Sequence, residues 1–335
     1  MIRSILFGSI ALSLPGQVDR ATLSGTVTDP SGAVITDASV EADSITTGKA
    51  REAVTNSAGI YGLPKLAPGT YNITFKKQGF QTVRFESVDI QVGKNVTLDA
   101  RMNLAPVSTA VDVQAAAPLL ERSSADYAGV VDREQIENLP TNGRNWSTLL
   151  ILTPLAIDDG GGDQRSIRFA GRARDDNNYR MDGIDATGIQ EQAQKSTTRL
   201  QIPADAVQEY RVGSGLYTAE YGAGSGGQVD VVTKSGSNVF HGSAFDYLRN
   251  SVFDSRSFLD LDLDPAATGP TKVPAFRMNQ FGGTLGGPLV QNKTFFFASF
   301  EAIRQFRGET LHALVPSAGF KAQVLAQSPA LASIL

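Results

Sequence analysis

His241 and His312 are the only imidazoles in 335 residues, and there is no cysteine. Nucleophilic catalysis needs a serine, threonine or cysteine held beside a general base. The two histidines fall in different segments, His241 in a predicted strand and His312 in a predicted terminal loop, and no nucleophile–base pair emerges. Without cysteine there are neither disulfides nor thiolate metal sites. No H-x-x-E spacing supplies zinc ligands. The expectation is therefore no catalytic residue, no metal, no cofactor and no enzyme activity.

Three further constellations have chemistry to offer. Asp175, Asp176, Asp182 and Asp185 are oxygen ligands of the kind calcium takes, but they lack EF-hand spacing and its terminal glutamate. They read as a solvated turn. Arg165, Arg168, Arg172 and Arg174 form a basic strip beside them, available for charge pairing with those aspartates. Gly222, Gly224 and Gly227 satisfy G-x-G-x-x-G. A dinucleotide site needs a helix after that motif, and here a β-branched run follows. These glycines instead permit a turn and a close crossing of backbone.

The elements that would position such groups are mostly strands. Charged residues are 19%, aromatics 8%, glycines number 33, and the net charge is −4. That is a β-type composition without a basic run, so nucleic acid is not an expected partner. Arg3 followed by the apolar run Ile5 to Leu14 and by Pro15-Gly16 reads as a signal peptide over 1–18. No stretch is apolar for the ~18 residues a membrane helix needs.

From Ala21 to Leu104, short alternating segments are separated by turns at Asp29-Pro30-Ser31-Gly32, Asn56 to Gly59 and Pro68-Gly69. Tyr71, Ile73 and Phe75 share one face, as do Val96, Leu98, Ala100 and Met102. About seven such strands make a β-sandwich. Further on, a strand is predicted at Thr109 to Gln114. Asp132 to Asn138 reads as a helix capped by Asp132, and Trp146 to Leu152 as a helical turn stopped by Thr153-Pro154. Asp158 to Gln164 is too polar to pack. Ser166 to Ala173, Asn178 to Asp182, Glu209 to Val212 and Gln228 to Thr233 read as strands, with a helical turn at Pro203 to Val207. Beyond Lys234 to Asn238 the segments lengthen. In Thr294 to Arg304, Phe296, Ala298, Phe300 and Ala302 lie on one face while Ser299 and Glu301 lie on the other. That alternation suits a membrane strand, apolar to lipid and polar to a lumen, or a half-buried sandwich strand.

The motifs SGTVTDPSGAVITDASVEA and TNSAGIYGLPKLAPGTYNITFKKQGFQ resemble the carboxypeptidase regulatory-like domain, a transthyretin-like accessory fold without peptidase residues. QIENLPTNGRNWSTLL, FAGRARDDNNYRMDGIDATG and IPADAVQEYRVGSGLYTAEYGAGSGGQVDVVTKSG resemble the plug of TonB-dependent outer-membrane receptors. NVFHGSAFDYLRN and FRMNQFGGTLGGPLVQNKTFFFASFEAIRQ resemble the start of the barrel in their Oar-like subgroup. Thr153-Pro154-Leu155 stands where that family commonly has a proline-glycine turn. No clear TonB box is present, Val111-Asp112-Val113 being the nearest candidate.

The resemblances imply a mainly β chain: signal peptide 1–18, a transthyretin/Ig-like β-sandwich 19–104, an α+β plug 105–236, and the first strands of a transmembrane β-barrel 237–335. About 100 residues after Gly236 give three or four strands of ~9–11 residues, where the smallest single-chain barrels have eight. The barrel is therefore expected to be incomplete here. The implied function is plug-gated uptake of a ligand at the outer membrane, with the sandwich in the periplasm. Implied partners are outer-membrane lipid, TonB, and an unidentified ligand, carbohydrate or peptide. Arg172, Asp175, Asn177, Asp182 and Asp185 are the candidate ligand-binding residues on a polar plug surface. The alternative is a cell-surface adhesion or carbohydrate-binding protein using the sandwich. A third, an accessory fragment of a metallocarboxypeptidase, lacks zinc ligands.

Overall fold

A computed structural model describes residues 20–104, 126–160, 166–173, 176–187, 202–217, 221, 224–255, 273, 275–308 and 317–328. The expected signal peptide, the strand at Thr109 to Gln114, the Val111-Asp112-Val113 stretch, Arg165, Arg174, Asp175, Gly222 and His312 lie outside the described residues. The described residues fall into two compact units. One runs up to Ala244 and takes in Gly283–Phe300, and the other holds Phe245–Gly282 and the residues from Glu301 on. Among the described residues no helix is long and apolar enough to cross a membrane, which says nothing of a β-barrel.

The larger unit begins with the sandwich. Its strands are β1 (Ala21–Thr28), β2 (Ser39–Ser44), β3 (Ala50–Val54), β4 (Ile60–Leu66), β5 (Gly69–Lys76), β6 (Val83–Ile90), β7 (Asn95–Thr97) and β8 (Ala100–Arg101). One sheet is ordered β4-β1-β7, with β8 also on β1, and the other β3-β2-β5-β6. The predicted inward set is inward: Tyr71, Ile73 and Phe75, with Val96, Leu98, Ala100 and Met102, all belong to one buried apolar cluster. Phe75 sits at the centre, edge-on to Tyr61 at 5.4 Å and to Phe85 at 5.9 Å. The Tyr61 hydroxyl donates to the Leu98 carbonyl at 2.7 Å, so its one polar atom is satisfied. Strand β6 does not alternate along its length. Val83 and Phe85 are buried and then Val88 and Ile90, because the register shifts opposite Tyr71 to Ile73. A bulge adds one residue and flips the parity of everything after it.

The plug contains β9 (Tyr127–Val131), α1 (Arg133–Asn138), the hairpin β10 (Ala156–Asp158) and β11 (Ile167–Phe169), then β12 (Asn178–Met181), β13 (Ile184–Asp185), β14 (Val207–Gly215) and β15 (Gln228–Thr233). Five of these form a mixed sheet ordered β13-β12-β15-β14-β9. Asp132 caps α1 as predicted: it accepts from the Gln135 amide, and the Gln135 side chain closes the capping box. The 3-10 segment Trp146–Leu152 and α1 cover one face of the sheet, where Trp146 packs on Tyr210 at 5.4 Å. The glycine run works by close approach. A Cβ on Gly227 would stand 2.1 Å from the Phe169 ring, and one on Gly226 would stand 2.6 Å from the Asn177 amide oxygen.

Three further strands follow: β16 (His241–Asn250), β17 (Phe276–Val290) and β18 (Thr294–Arg307), ordered β16-β17-β18. At 15 and 14 residues, β17 and β18 are longer than the ~9–11 expected of a crossing. A three-residue turn at 291–293 joins them as a hairpin. In the larger unit, the link between plug and strands is pinned at Gly236, whose added Cβ would meet the Phe296 carbonyl at 2.2 Å. In the smaller unit, Glu301 accepts from the Gln280 side chain at 2.6 Å; in the larger, Phe300 is 62% exposed. Neighbours in a strand point to opposite faces, but Phe295, Phe297 and Ile303 fall on the same face as Ser299 and Glu301, so the face predicted to be polar is mixed. The smaller unit also holds a helix, α2 (Ala318–Gln327), which strand patterning did not predict.

Candidate functional site

Strand β14 builds the site. Its sequence VQEYRV reads as simple alternation only from Glu209 on. Val207 pairs with Thr233 and Glu209 with Val232, so a bulge falls between them. Val207, Tyr210 and Val212 therefore share the apolar face, while Glu209 and Arg211 share the other. Opposite Arg211 in register is Asp230, and opposite Asp230 on the far side is Arg180. The sheet has one apolar face and one charged face, and on β14 and β15 both are closed from water.

A charged group buried in this way must be paired. Arg211 is 3% exposed, and its guanidinium donates to Asp126 at 2.9 Å and to the Tyr221 hydroxyl at 2.9 Å. Tyr221 in turn donates to Asp230 at 3.0 Å, and the Arg180 guanidinium stands 5.0 Å from its ring centroid. Two carboxylates and two guanidinium groups thus balance around one tyrosine. Burial, and then the Asp230 charge, hold the Tyr221 phenol above its ordinary range. Burial opposes the charge of Arg211, yet Tyr221, Asp126 and Asp230 more than restore it, so its net shift is upward. Glu209 is 7% exposed and accepts from the backbone amide of Val92, in the sandwich, at 2.5 Å.

The predicted site residues among those described lie in the turn after β11 and in or beside the β12–β13 hairpin. Arg172 is exposed in the turn after β11. Asn177 is fully buried rather than on a surface. Its amide donates to the Ile167 carbonyl and accepts from the Gly227 amide, both at 2.8 Å, so its hydrogen-bonding groups tie three segments together. Asp182 and Gly183, at φ 49° and 79°, are the two central residues of the β12–β13 hairpin. The Asp182 carboxylate accepts from the Thr233 amide and hydroxyl. Asp185 accepts from the Thr187 amide. Arg168 pairs with Asp159 at 2.7 Å across the β10–β11 hairpin. Among the described residues no set of three His, Asp or Glu side chains could hold a metal ion.

The larger unit also has an open cleft of about 500 Å³, between the sandwich segment 67–69 and the plug segment 232–237. Lys234 and Arg133 line it, and both pair with Glu137 at 2.8 Å.

Sequence reasoning missed Asp126, Arg180, Glu209, Arg211, Tyr221 and Asp230. The signal was present as charged residues alternating with Val229, Val231, Tyr210 and Val212 in two segments that pair with each other. Ordinary alternation sends such residues to solvent, so nothing marked them as buried.

A two-faced sheet is followed in the chain by long paired strands, the element order that a plug and the start of a barrel would have. Family models match in that order: a carboxypeptidase regulatory-like domain over 22–103, a TonB-dependent receptor plug domain over 121–229, and an outer membrane beta barrel domain over 232–330. The plug and barrel matches are to domains of TonB-dependent outer-membrane receptors, to which the chain is similar over 121–330. It is similar to the TonB-dependent transporter Oar of Myxococcus xanthus, 26% identical over 88% of this chain and 27% of that protein. The chain thus spans about a quarter of the length of this relative. Among solved structures, the siderophore receptor PirA of Pseudomonas aeruginosa matches 55% of this chain and 28% of its own, at 21% identity and TM-score 0.36. The Bacillus anthracis TIE protein matches 26% and 17%, at 15% identity and TM-score 0.22. Likenesses this partial do not bear on function.

Proposed function

We propose that this chain supplies the periplasmic sandwich, the plug and the first barrel strands of an Oar-like transporter that takes up a ligand through a plug-gated lumen, driven by TonB. The domains run 19–104, 105–236 and 237–335 after a signal peptide of 1–18. The observation that carries the reading is the charged plug face around Arg211. A plug that only had to fold would gain more from apolar residues there, since buried ion pairs add little net stability. Charged pairs that exchange partners let an element rearrange without exposing a large apolar surface. Arg172, Asp175, Asp182 and Asp185 remain the proposed ligand-facing positions. A carbohydrate or a peptide would suit such a polar surface.

Conductance across a planar bilayer tests the gating. The intact receptor should be closed, and removal of residues 121–229 should open a large ohmic pore. Equal conductance with and without the plug would overturn the reading.

A further inference from the structure

The sandwich and the plug meet at a buried polar contact that plug gating does not require. The sandwich turn between β6 and β7 places Val92, fully buried, over strand β14, with its amide on Glu209. Its neighbour Gly93 has φ 62°, and a Cβ there would stand 3.0 Å from the Arg211 side chain. The turn is thus fitted closely over Glu209 and Arg211, and the β14 bulge is what aims both side chains at it.

We propose that this contact is a proton-operated latch, which holds the sandwich on the plug while the Glu209 carboxyl is protonated and releases it when that carboxyl ionises.

The charges around Glu209 favour the neutral form. Docking takes the carboxyl out of water, which disfavours its anion. Asp89 of β6 and Asp132 at the cap of α1 oppose ionisation too, while the Val92 amide and Lys94 favour it. Arg211, two residues along the same face, is already bonded to Asp126 and Tyr221. Burial dominates and pushes the carboxyl from 4.5 up to about 7. A carboxyl raised in the docked state contributes stability that is complete below about pH 4.5 and lost as pH rises through about 7. Acid closes the latch and neutral to alkaline pH loosens it. A periplasmic domain is exposed to such swings, since small ions cross outer-membrane pores freely.

Hydrogen exchange at the Val92 amide reads the opening equilibrium of the full chain directly. After the intrinsic pH dependence of exchange is divided out, protection of Val92 should fall about tenfold from pH 6 to pH 8, the change a carboxyl moving between 4.5 and about 7 imposes. The Ile73 amide, in the sandwich core, should show no such fall. Glu209→Gln keeps the acceptor and removes the titration, so Val92 protection should become flat with pH. Gly93→Ala, on the sandwich side, leaves the plug sequence intact. It should lower Val92 protection at both pH values while keeping the tenfold fall. Constant Val92 protection in the unaltered chain, the same fall in Glu209→Gln, or unchanged protection in Gly93→Ala would each overturn the latch.

Discussion

The sandwich and the plug are β-sheet proteins of similar size built on opposite rules. Inside the sandwich the buried polar side chains are threonines. Thr55 donates to the Ile35 carbonyl and accepts from the Ala38 amide, both within the sandwich. Inside the plug lie Asn177, Glu209, Arg211, Gln228 and Asp230, among others. The sandwich is held by apolar contact around Phe75, which is non-directional and tolerant. The plug is held on one face by such contact and on the other by a chain of charge-assisted hydrogen bonds, each of which depends on its partner. The first arrangement suits a domain that stays folded whatever its neighbours do. The second suits one that is taken apart and reassembled.

The comparison can be broken from either side, beginning with the largest effects. Phe75→Ala should open a cavity in the sandwich and cost about 3–5 kcal/mol, read as early loss of exchange protection in β1 to β8 with the plug unaffected. Arg211→Met should cost a similar amount in the plug, about 3–5 kcal/mol, because the Asp126 carboxylate loses its ion-pair partner. The two should respond differently to a second change. Adding Asp126→Asn to Arg211→Met should recover much of the loss, since the carboxylate charge goes with the cation. If the double variant were no more stable than the single one, the two residues would not be a coupled unit. Asp132→Ala should cost about 1 kcal/mol by removing the cap of α1, visible as faster exchange confined to that helix.

The smallest effect is at the cleft. Burial alone would raise the Glu137 carboxyl, but the hydrogen bonds from Lys234 and Arg133 hold it below its ordinary value. A lowered carboxyl contributes stability above its unfolded value of about 4.5 that is lost as pH falls through the folded value. Lys234→Met should therefore cost less than about 1 kcal/mol at pH 7, and the difference from the unaltered chain should vanish in acid. A difference that grew in acid would contradict the pairing.

Most of the sandwich was legible because its strands alternate cleanly and its turns carry Pro, Gly and Asn. The exception was β6. Alternation across Val83, Phe85, Val88 and Ile90 is broken by its bulge, so the strand has no single period to detect. The same physics hid the plug site. The bulge before Glu209 moves Val207 and Tyr210 to one face although their spacing is odd, and so sends Glu209 and Arg211 to the other. A bulge is a property of the paired strands, not of either sequence alone. Asn177 was misplaced for a related reason. Its neighbours in sequence are polar, but what it bonds, the Ile167 carbonyl and the Gly227 amide, comes from segments 10 and 50 residues away. The helix Ala318–Gln327 follows a stretch read only for strands. In β18 alternation puts Phe300 and Ser299 on opposite faces, although Phe295, Phe297 and Ile303 share the face of Ser299.

Those faces give the most direct test that this chain builds plug and barrel wall together. Cysteine is absent from the sequence, so single cysteines can be labelled without background. In the membrane-embedded protein, Phe300→Cys should react with a lipid-phase probe and Ser299→Cys with a water-soluble one. Reaction of both with the aqueous probe alone would mean that β18 is not barrel wall, and would contradict the receptor architecture proposed for this chain.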